Sequence, residues 1–211
     1  MSQARVERAA LVATLREVGP DAPTLCAGWD ARDLAAHLVV RERRLDAAPG
    51  IMIKPLAGYT DRVQRSVTDG TDFDALLGQI ADGPPLYSPM KLVDRWANLA
   101  EMFIHHEDVL RGRVDPDSDW QPRVLSSSLE KSLVTPLKSM ARMTLRSVPA
   151  RVRLRTPDGV EVVGGGAGPE VVVTGRVGEL LLFATGRSPV VVTLDGDADA
   201  IAAVRAGVHG F

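Results

Sequence analysis

This 211-residue sequence has little of what several classes of protein require. Its single cysteine, Cys26, cannot form an internal disulfide. Aromatic residues are sparse at 4%, and 25 Lys+Arg balance 27 Asp+Glu, so nucleic acid would find neither a basic surface nor a stacking platform. No apolar run approaches the ~18 residues of a membrane span. The first residues mix acids and bases instead of forming a signal peptide. We therefore expect a cytoplasmic protein that binds neither nucleic acid nor membrane.

Helical periodicity is the main pattern in the first two thirds of the chain. It predicts four long helices, over residues 3–18, 31–46, 91–113 and 122–146. Gly19-Pro20 is expected to end the first helix, and Asp30 to cap the second. Proline and glycine break residues 51–88 into shorter pieces. Four long helices predict a bundle in which ligands project inward from facing helices.

From about Val148 the pattern alternates in steps of two, which is typical of β-strands. Strands are predicted over residues 151–156, 160–163, 170–173 and 190–193, and helices over about 175–185 and 197–206. The glycine-rich residues 164–168 precede a strand, whereas a phosphate loop needs a following helix N-terminus, so we reject a nucleotide site there. The sequence thus predicts an α+β protein, with a helical bundle over residues 1–147 and a small α+β domain over 148–211.

The third predicted helix carries a narrow polar stripe with apolar residues on both sides. The stripe contains Asp94, Asn98, Glu101, His105 and Asp108. A fully solvated helix face would not need apolar residues on both of its sides, so the stripe is expected to face the protein interior. Glu101 and His105 are one turn apart, so both side chains can reach one ion. Of the chain's four histidines, His37 is the best source of a third ligand, whereas His106 points away from the stripe.

His37, Glu101 and His105 are accordingly candidate ligands of one divalent metal. Two imidazoles and a carboxylate suit Zn²⁺, Ni²⁺, Co²⁺ or Fe²⁺ and leave a position open for water or substrate. The alternative is a surface pair of Glu101 and His105, with His37 as a hydrogen-bonded core residue. Arg41 and Arg44 follow His37 by one and two turns and could bind a substrate carboxylate. Solvated surface positions are the alternative, which we favour for Arg44.

Cys26 lies in the loop before the second predicted helix. It could be a fourth ligand or a redox-active thiol, but a plain buried cysteine is the interpretation we favour.

Two segments of the sequence carry a family resemblance. They are Trp29-Asp-Ala-Arg-Asp-Leu-Ala-Ala-His37-Leu and Glu101-Met-Phe-Ile-His-His-Glu-Asp108-Val. They resemble the W-x3-DL-x2-HL and E-x3-H-x2-D segments of the mycothiol-dependent maleylpyruvate isomerase family. The matching residues are Trp29, Asp33, Leu34, His37, Glu101, His105 and Asp108. The sequence is most similar to a shorter actinobacterial branch that carries Arg41-Glu-Arg43 after the histidine.

The resemblance implies a DinB-like four-helix bundle that binds metal through His37, Glu101 and His105, followed by a small sterol-carrier-like α+β domain. It also implies that Asp108 orients a ligand imidazole, although an exposed helix acid is the alternative. Arg187, which follows the end of a predicted helix, would reach the site from the second domain. Mycothiol is the implied cosubstrate, and zinc the first choice of metal.

Two classes of function follow from these observations. In the first, the metal binds and deprotonates mycothiol, and the thiolate reacts with an electrophilic or carboxylate-bearing substrate by isomerisation or S-transfer. A variant replaces the thiol with water and gives a metal-dependent hydrolase. In the second class, the metal is structural, and the protein is a non-enzymatic module that binds a small ligand or a partner. We expect a monomer or a homodimer.

Overall fold

A computed structural model describes residues 2–51, 53–88, 95–115 and 117–208, with the backbone alone for residues 95–97. The chain divides into two compact units, Met1–Arg113 and Val114–Phe211. Over the described residues it forms eight α-helices and one four-stranded sheet. The predicted α+β class is therefore confirmed. None of the helices in this described part combines the length and apolarity needed to cross a bilayer.

The first unit is helical. Its α-helices are α1 (Gln3–Val18), α2 (Ala31–Arg43), α3 (Ala57–Gly70), α4 (Phe73–Asp82) and α5 (Arg95–Arg111). The carboxylate of Asp30 caps α2 by accepting a 2.9 Å hydrogen bond from the backbone N–H of Asp33. Residues 91–94, where the third long helix was predicted to begin, lie outside the described residues.

The core of this unit packs α1, α2, α4 and α5 together. Its fully buried large side chains include Leu11, Leu15, Leu34, Leu38, Leu76, Leu77 and Met102. Each buried side chain of this size contributes roughly 1.5–3 kcal/mol of hydrophobic stabilisation. Helical spacing in the sequence predicts one apolar stripe on α5 that includes Trp96, Leu99, Phe103 and Leu110. Leu99 and Phe103 are buried, whereas Leu110 is 39% exposed. Trp96, the remaining aromatic of that stripe, has no described side chain.

A buried ion pair and a buried hydrogen-bonded pair link α1 to the helices that carry the candidate ligands. On α1, Arg8 donates to both carboxylate oxygens of Glu42 on α2, at 2.5 and 2.9 Å. A second pair joins α1 to α5, because Glu7 lies 2.8 Å from Nδ1 of His106. The other ring nitrogen of His106 lies 2.9 Å from the Thr14 hydroxyl. Both pairs therefore tie α1 to the helices on which the site is built.

The second unit places helices beside a mixed sheet. Its elements are α6 (Ser127–Thr144), β1 (Arg151–Arg155), β2 (Glu161–Gly165), β3 (Glu170–Gly175), α7 (Val177–Ala184), β4 (Val192–Gly196) and α8 (Ala198–Gly207). The strand order is β2-β1-β3-β4, and only the central pair, β1 with β3, is parallel. The predicted hairpin of β1 and β2 pairs Arg151 with Gly165 and Arg155 with Glu161.

The helix α6 belongs to this second unit, and this differs from the predicted domain boundary at residue 147. Its apolar residues Leu133, Leu137 and Ala141 are buried, and the helix packs against β2 and α7. At Gly164 a Cβ would lie 3.0 Å from the Ala141 carbonyl oxygen, so a residue without a side chain permits this approach. The predicted four-helix bundle included α6, and it is not confirmed.

Candidate metal centre

Two helices bring together the three side chains that the sequence proposed as metal ligands. His37 lies on α2, and Glu101 and His105 lie one turn apart on α5. The Oε1 atom of Glu101 lies 3.2 Å from Nε2 of His105 and 3.6 Å from Nε2 of His37. Both histidines are 7% exposed, and the Glu101 side chain is 25% exposed. The cluster therefore has one accessible side, at the carboxylate.

The spacing of these atoms fits a divalent metal. One ligand atom from each of the three residues lies within 4.8 Å of the other two. In a tetrahedral site with bonds of about 2.0–2.1 Å, neighbouring ligand atoms are about 3.3 Å apart. The distances from Glu101 Oε1 to the two histidine Nε2 atoms, 3.2 and 3.6 Å, are close to this value. Two imidazoles and one carboxylate could therefore hold a divalent ion without a large rearrangement of α2 or α5.

Glu101 is surrounded by positively charged or hydrogen-bonding groups. Besides the two histidines, the Nε of Arg41 lies 3.3 Å from the same Oε1 atom. Burial alone would raise the pKa of Glu101, but the hydrogen bond with His105, the nearby His37 ring and the charge of Arg41 hold it well below its usual range. The carboxylate is therefore ionised at neutral pH, as a metal ligand must be.

The environment of His37 favours its neutral form. Burial lowers the pKa of His37 below its usual value, and the neighbouring His105 adds to this effect, whereas Glu101 opposes it. The ring packs beside Trp29, with centroids 5.0 Å apart. A neutral imidazole can carry its lone pair on Nε2 and bind a cation through that nitrogen.

His105 is oriented by Asp108. Its Nδ1–H donates to the buried Asp108 carboxylate over 2.9 Å, which leaves Nε2 on the side of Glu101 and His37. Burial alone would lower the pKa of His105, but hydrogen bonds with Asp108, Cys26 and Glu101 raise it well above its usual value. A metal binding here must therefore displace a proton from the ring.

The two arginines that follow His37 on α2 differ in their surroundings. Arg41 lies against Glu101 and donates to the Asn98 side chain over 3.2 Å, so its guanidinium is already engaged within the cluster. Arg44 forms an exposed pair with Asp46 at 2.8 Å, which agrees with a solvated surface position. In this arrangement Arg41 therefore contacts the candidate ligand Glu101 instead of presenting a free guanidinium to a substrate.

Arg187 belongs to the second unit, where its guanidinium donates to the Thr185 carbonyl over 2.9 Å. Its predicted role at the metal site stays a prediction.

Two contacts were missed by reasoning from the sequence. The thiol of Cys26 donates to Asp108 over 3.2 Å, although the two residues are 82 positions apart. Local spacing carries no signal for such a pair. The link between Arg41 and Asn98 could have been anticipated, because Asn98 lies on the predicted polar stripe one turn before Glu101.

The fold and the cluster together define an α+β protein whose helical unit carries a His-Glu-His group of metal-ligand type. Residues 1–104 match the family model described as the mycothiol maleylpyruvate isomerase N-terminal domain. Through this helical part, the chain belongs to the mycothiol-dependent maleylpyruvate isomerase-like family. The matched residues include His37 and Glu101 and end one position before His105.

Solved structures show the same fold over most of the chain. A crystal structure of the mycothiol-dependent maleylpyruvate isomerase matches with a TM-score of 0.57 and 16% identity, over 92% of this chain and 90% of that one. A histidine-to-alanine mutant of that isomerase matches over the same shares with a TM-score of 0.53 and 16% identity. A comparison with curated proteins found no significant match.

Proposed function

We propose that this protein is a metal- and thiol-dependent enzyme. His37, Glu101 and His105 would hold one divalent metal, zinc being the first choice, on a helical unit of DinB-like type. Mycothiol would be the cosubstrate for an isomerisation, which returns the thiol, or an S-transfer, which consumes it. The observation that carries the proposal is the convergence of two imidazole nitrogens on one carboxylate oxygen, at 3.2 and 3.6 Å.

A divalent metal bound to these residues would supply a thiolate at neutral pH, because coordination lowers the pKa of a thiol. The protein's own residues prepare that position. Asp108 accepts a hydrogen bond from Nδ1–H of His105, so Nε2 faces the proposed metal position, and burial favours the neutral form of His37. Arg41 neutralises the charge of Glu101 and restricts its carboxylate. Three protein ligands leave at least one position for an exogenous group, as in catalytic sites.

Mycothiol enters this proposal through the family alone. The description of the matching family model names mycothiol, and the matching crystal structures are of a mycothiol-dependent isomerase. The second substrate is proposed as a small electrophilic or carboxylate-bearing molecule. Arg41, the candidate for binding its carboxylate, contacts Glu101 and Asn98 in this arrangement. Arg187 stays a predicted site residue.

The first test is metal content, measured by mass spectrometry on protein purified without a histidine tag. Three variants carry the same substitution: His37→Gln, His105→Gln and, as the matched control on α5, His106→Gln. We expect near-stoichiometric metal in the wild type and the control, and at least a tenfold loss in the first two variants. Equal metal content in all four proteins would refute the proposed ligands.

The second test concerns the thiol. The Co²⁺-loaded protein is titrated with mycothiol while the visible absorption of the metal is followed. A change that saturates with mycothiol, and not with its sugar portion lacking the thiol, supports the proposed cosubstrate. Stable metal binding without any response to thiol would leave the metal site intact but exclude thiol activation, and hydrolysis of activated esters would then be assayed.

A further inference from the structure

The His105 ring has a second set of potential ligands on the side away from His37. We propose that Cys26, Asp108 and Nδ1 of His105 form a second cation position, which takes a thiophilic divalent ion such as Cd²⁺, Co²⁺ or excess Zn²⁺. This position is separate from the His37-Glu101-His105 cluster, with which it shares only the imidazole of His105.

The distances among the three donor atoms are those of a nearly formed site. Oδ2 of Asp108 lies 2.9 Å from Nδ1 of His105 and 3.2 Å from Sγ of Cys26, and Sγ lies 4.0 Å from Nδ1. A tetrahedral ion with a sulfur bond of about 2.3 Å and nitrogen or oxygen bonds of about 2.0–2.2 Å requires separations of about 3.3–3.6 Å. Shifts of a few tenths of an ångström therefore suffice to admit the ion.

The charges of the proposed ligands match a divalent ion. Metal binding releases the Cys26 thiol proton and the Nδ1 proton of His105, which leaves a neutral imidazole with its remaining proton on Nε2. The thiolate and the Asp108 carboxylate together then neutralise two positive charges. The Asp108 side chain is fully buried, so its charge needs a partner, which is His105 in the present arrangement and would be the ion when it is bound. Cys26 is only partly buried. The thiolate selects soft or borderline metals over Mg²⁺ and Ca²⁺.

The loop that carries Cys26 is held in place against α5. The backbone N–H of Leu25 donates to the Asp108 carbonyl over 3.0 Å. The Thr24 hydroxyl donates to the Trp29 carbonyl and accepts from the Cys26 N–H, at 2.8 and 3.2 Å. Near the end of α5, the Pro23 carbonyl occupies the space that a Cβ on Gly112 would need. The sulfur is thus positioned by the backbone and does not depend on a mobile segment.

The experiment uses the sequence's single cysteine as an intrinsic probe. Untagged, reduced full-length protein is titrated with Co²⁺ and with Cd²⁺, and the ultraviolet thiolate-to-metal charge-transfer absorption is recorded. Because there is one thiol, this absorption reports Cys26 alone. The variants are Cys26→Ser, Asp108→Asn and His37→Gln, with circular dichroism and thermal melting as checks of folding.

The proposal requires a saturable charge-transfer absorption in the wild type. The same absorption should persist in His37→Gln, which lacks a ligand of the other cluster. It should disappear in Cys26→Ser, and at least tenfold more metal should be needed to produce it in Asp108→Asn. Its absence in the wild type, its loss in His37→Gln, or an unchanged titration of Asp108→Asn would each overturn the proposal.

The two metal positions are tested separately by this design. Loss of metal content in His37→Gln with no thiolate absorption in any protein would refute the second position and leave the proposed function intact. Thiolate absorption in a protein whose metal content does not depend on His37 would support the second position and refute His37 as a ligand of the first.

Discussion

The contact between Gly112 and the loop before α2 permits a sharp test of how this site is supported. A Cβ added to Gly112 would meet the Pro23 carbonyl oxygen, and would lie 2.5 Å from the Pro23 carbonyl carbon and 2.8 Å from Cα of Thr24. Ordinary contacts of a Cβ begin at 3.4 Å. Backbone atoms must therefore move by about 1 Å, and overpacking of this kind costs about 1–3 kcal/mol.

Gly112→Ala is accordingly expected to lower the free energy of unfolding by about 1–3 kcal/mol. The matched control is Gly78→Ala, on the exposed side of α4, where a Cβ would have nothing within 4 Å. At position 78 the substitution should raise the free energy of unfolding by about 0.5–1 kcal/mol, because alanine has a higher helix propensity than glycine. The two changes thus have opposite expected signs.

Urea denaturation followed by circular dichroism measures both effects, provided that the slope of the transition is unchanged. A second readout is local. Moving the loop takes Cys26 away from Asp108, so the reaction of the thiol with a disulfide reagent should become faster in Gly112→Ala and stay unchanged in Gly78→Ala. Equal or greater stability of Gly112→Ala, with unchanged thiol reactivity, would refute the close approach of the loop to α5.

Two further predictions concern the buried pair on α1 and α2 and the proton at His105. Arg8→Met should lower the free energy of unfolding by about 3–5 kcal/mol, because Glu42 stays buried without its partner. In urea denaturation the double variant Arg8→Met/Glu42→Leu should recover most of that stability, and an equal loss in both variants would contradict the prediction. Metal affinity should rise with pH through and above neutrality. The raised pKa of His105 means that a bound proton competes with the metal up to higher pH than for an ordinary histidine. Competition with a chromophoric chelator at several pH values measures this, and a pH-independent affinity would show that His105 is not a ligand.

Much of the site could be predicted because its signals are local. The one-turn spacing of Glu101 and His105 lies within one helix, and the geometry of that helix brings the two side chains to 3.2 Å. His37 was predicted by elimination among a few histidines, and the tertiary structure places its ring centroid 5.3 Å from that of His105. The cap at Asp30 is likewise a local feature, because its partner is three residues away.

Other features could not be predicted, because they depend on contacts between distant segments. The helix α6 has the length and periodicity of a bundle member, yet it packs on the sheet in the second unit. Amphipathic periodicity predicts that a helix buries one face, but it does not predict which element that face packs against. For the same reason, Arg41 could be predicted to lie near the site, but not to be engaged by Glu101 and Asn98.

The sequence by itself determined the α+β class, the helices that carry His37, Glu101 and His105, and the family resemblance, because periodicity, capping and motif spacing act over a few residues. Only the tertiary structure decided that Cys26 reaches Asp108, that one carboxylate oxygen faces both imidazoles, and that α6 lies with the sheet. These arrangements arise from the packing of segments far apart in the chain, where side-chain volume and the partner of each buried charge decide the outcome.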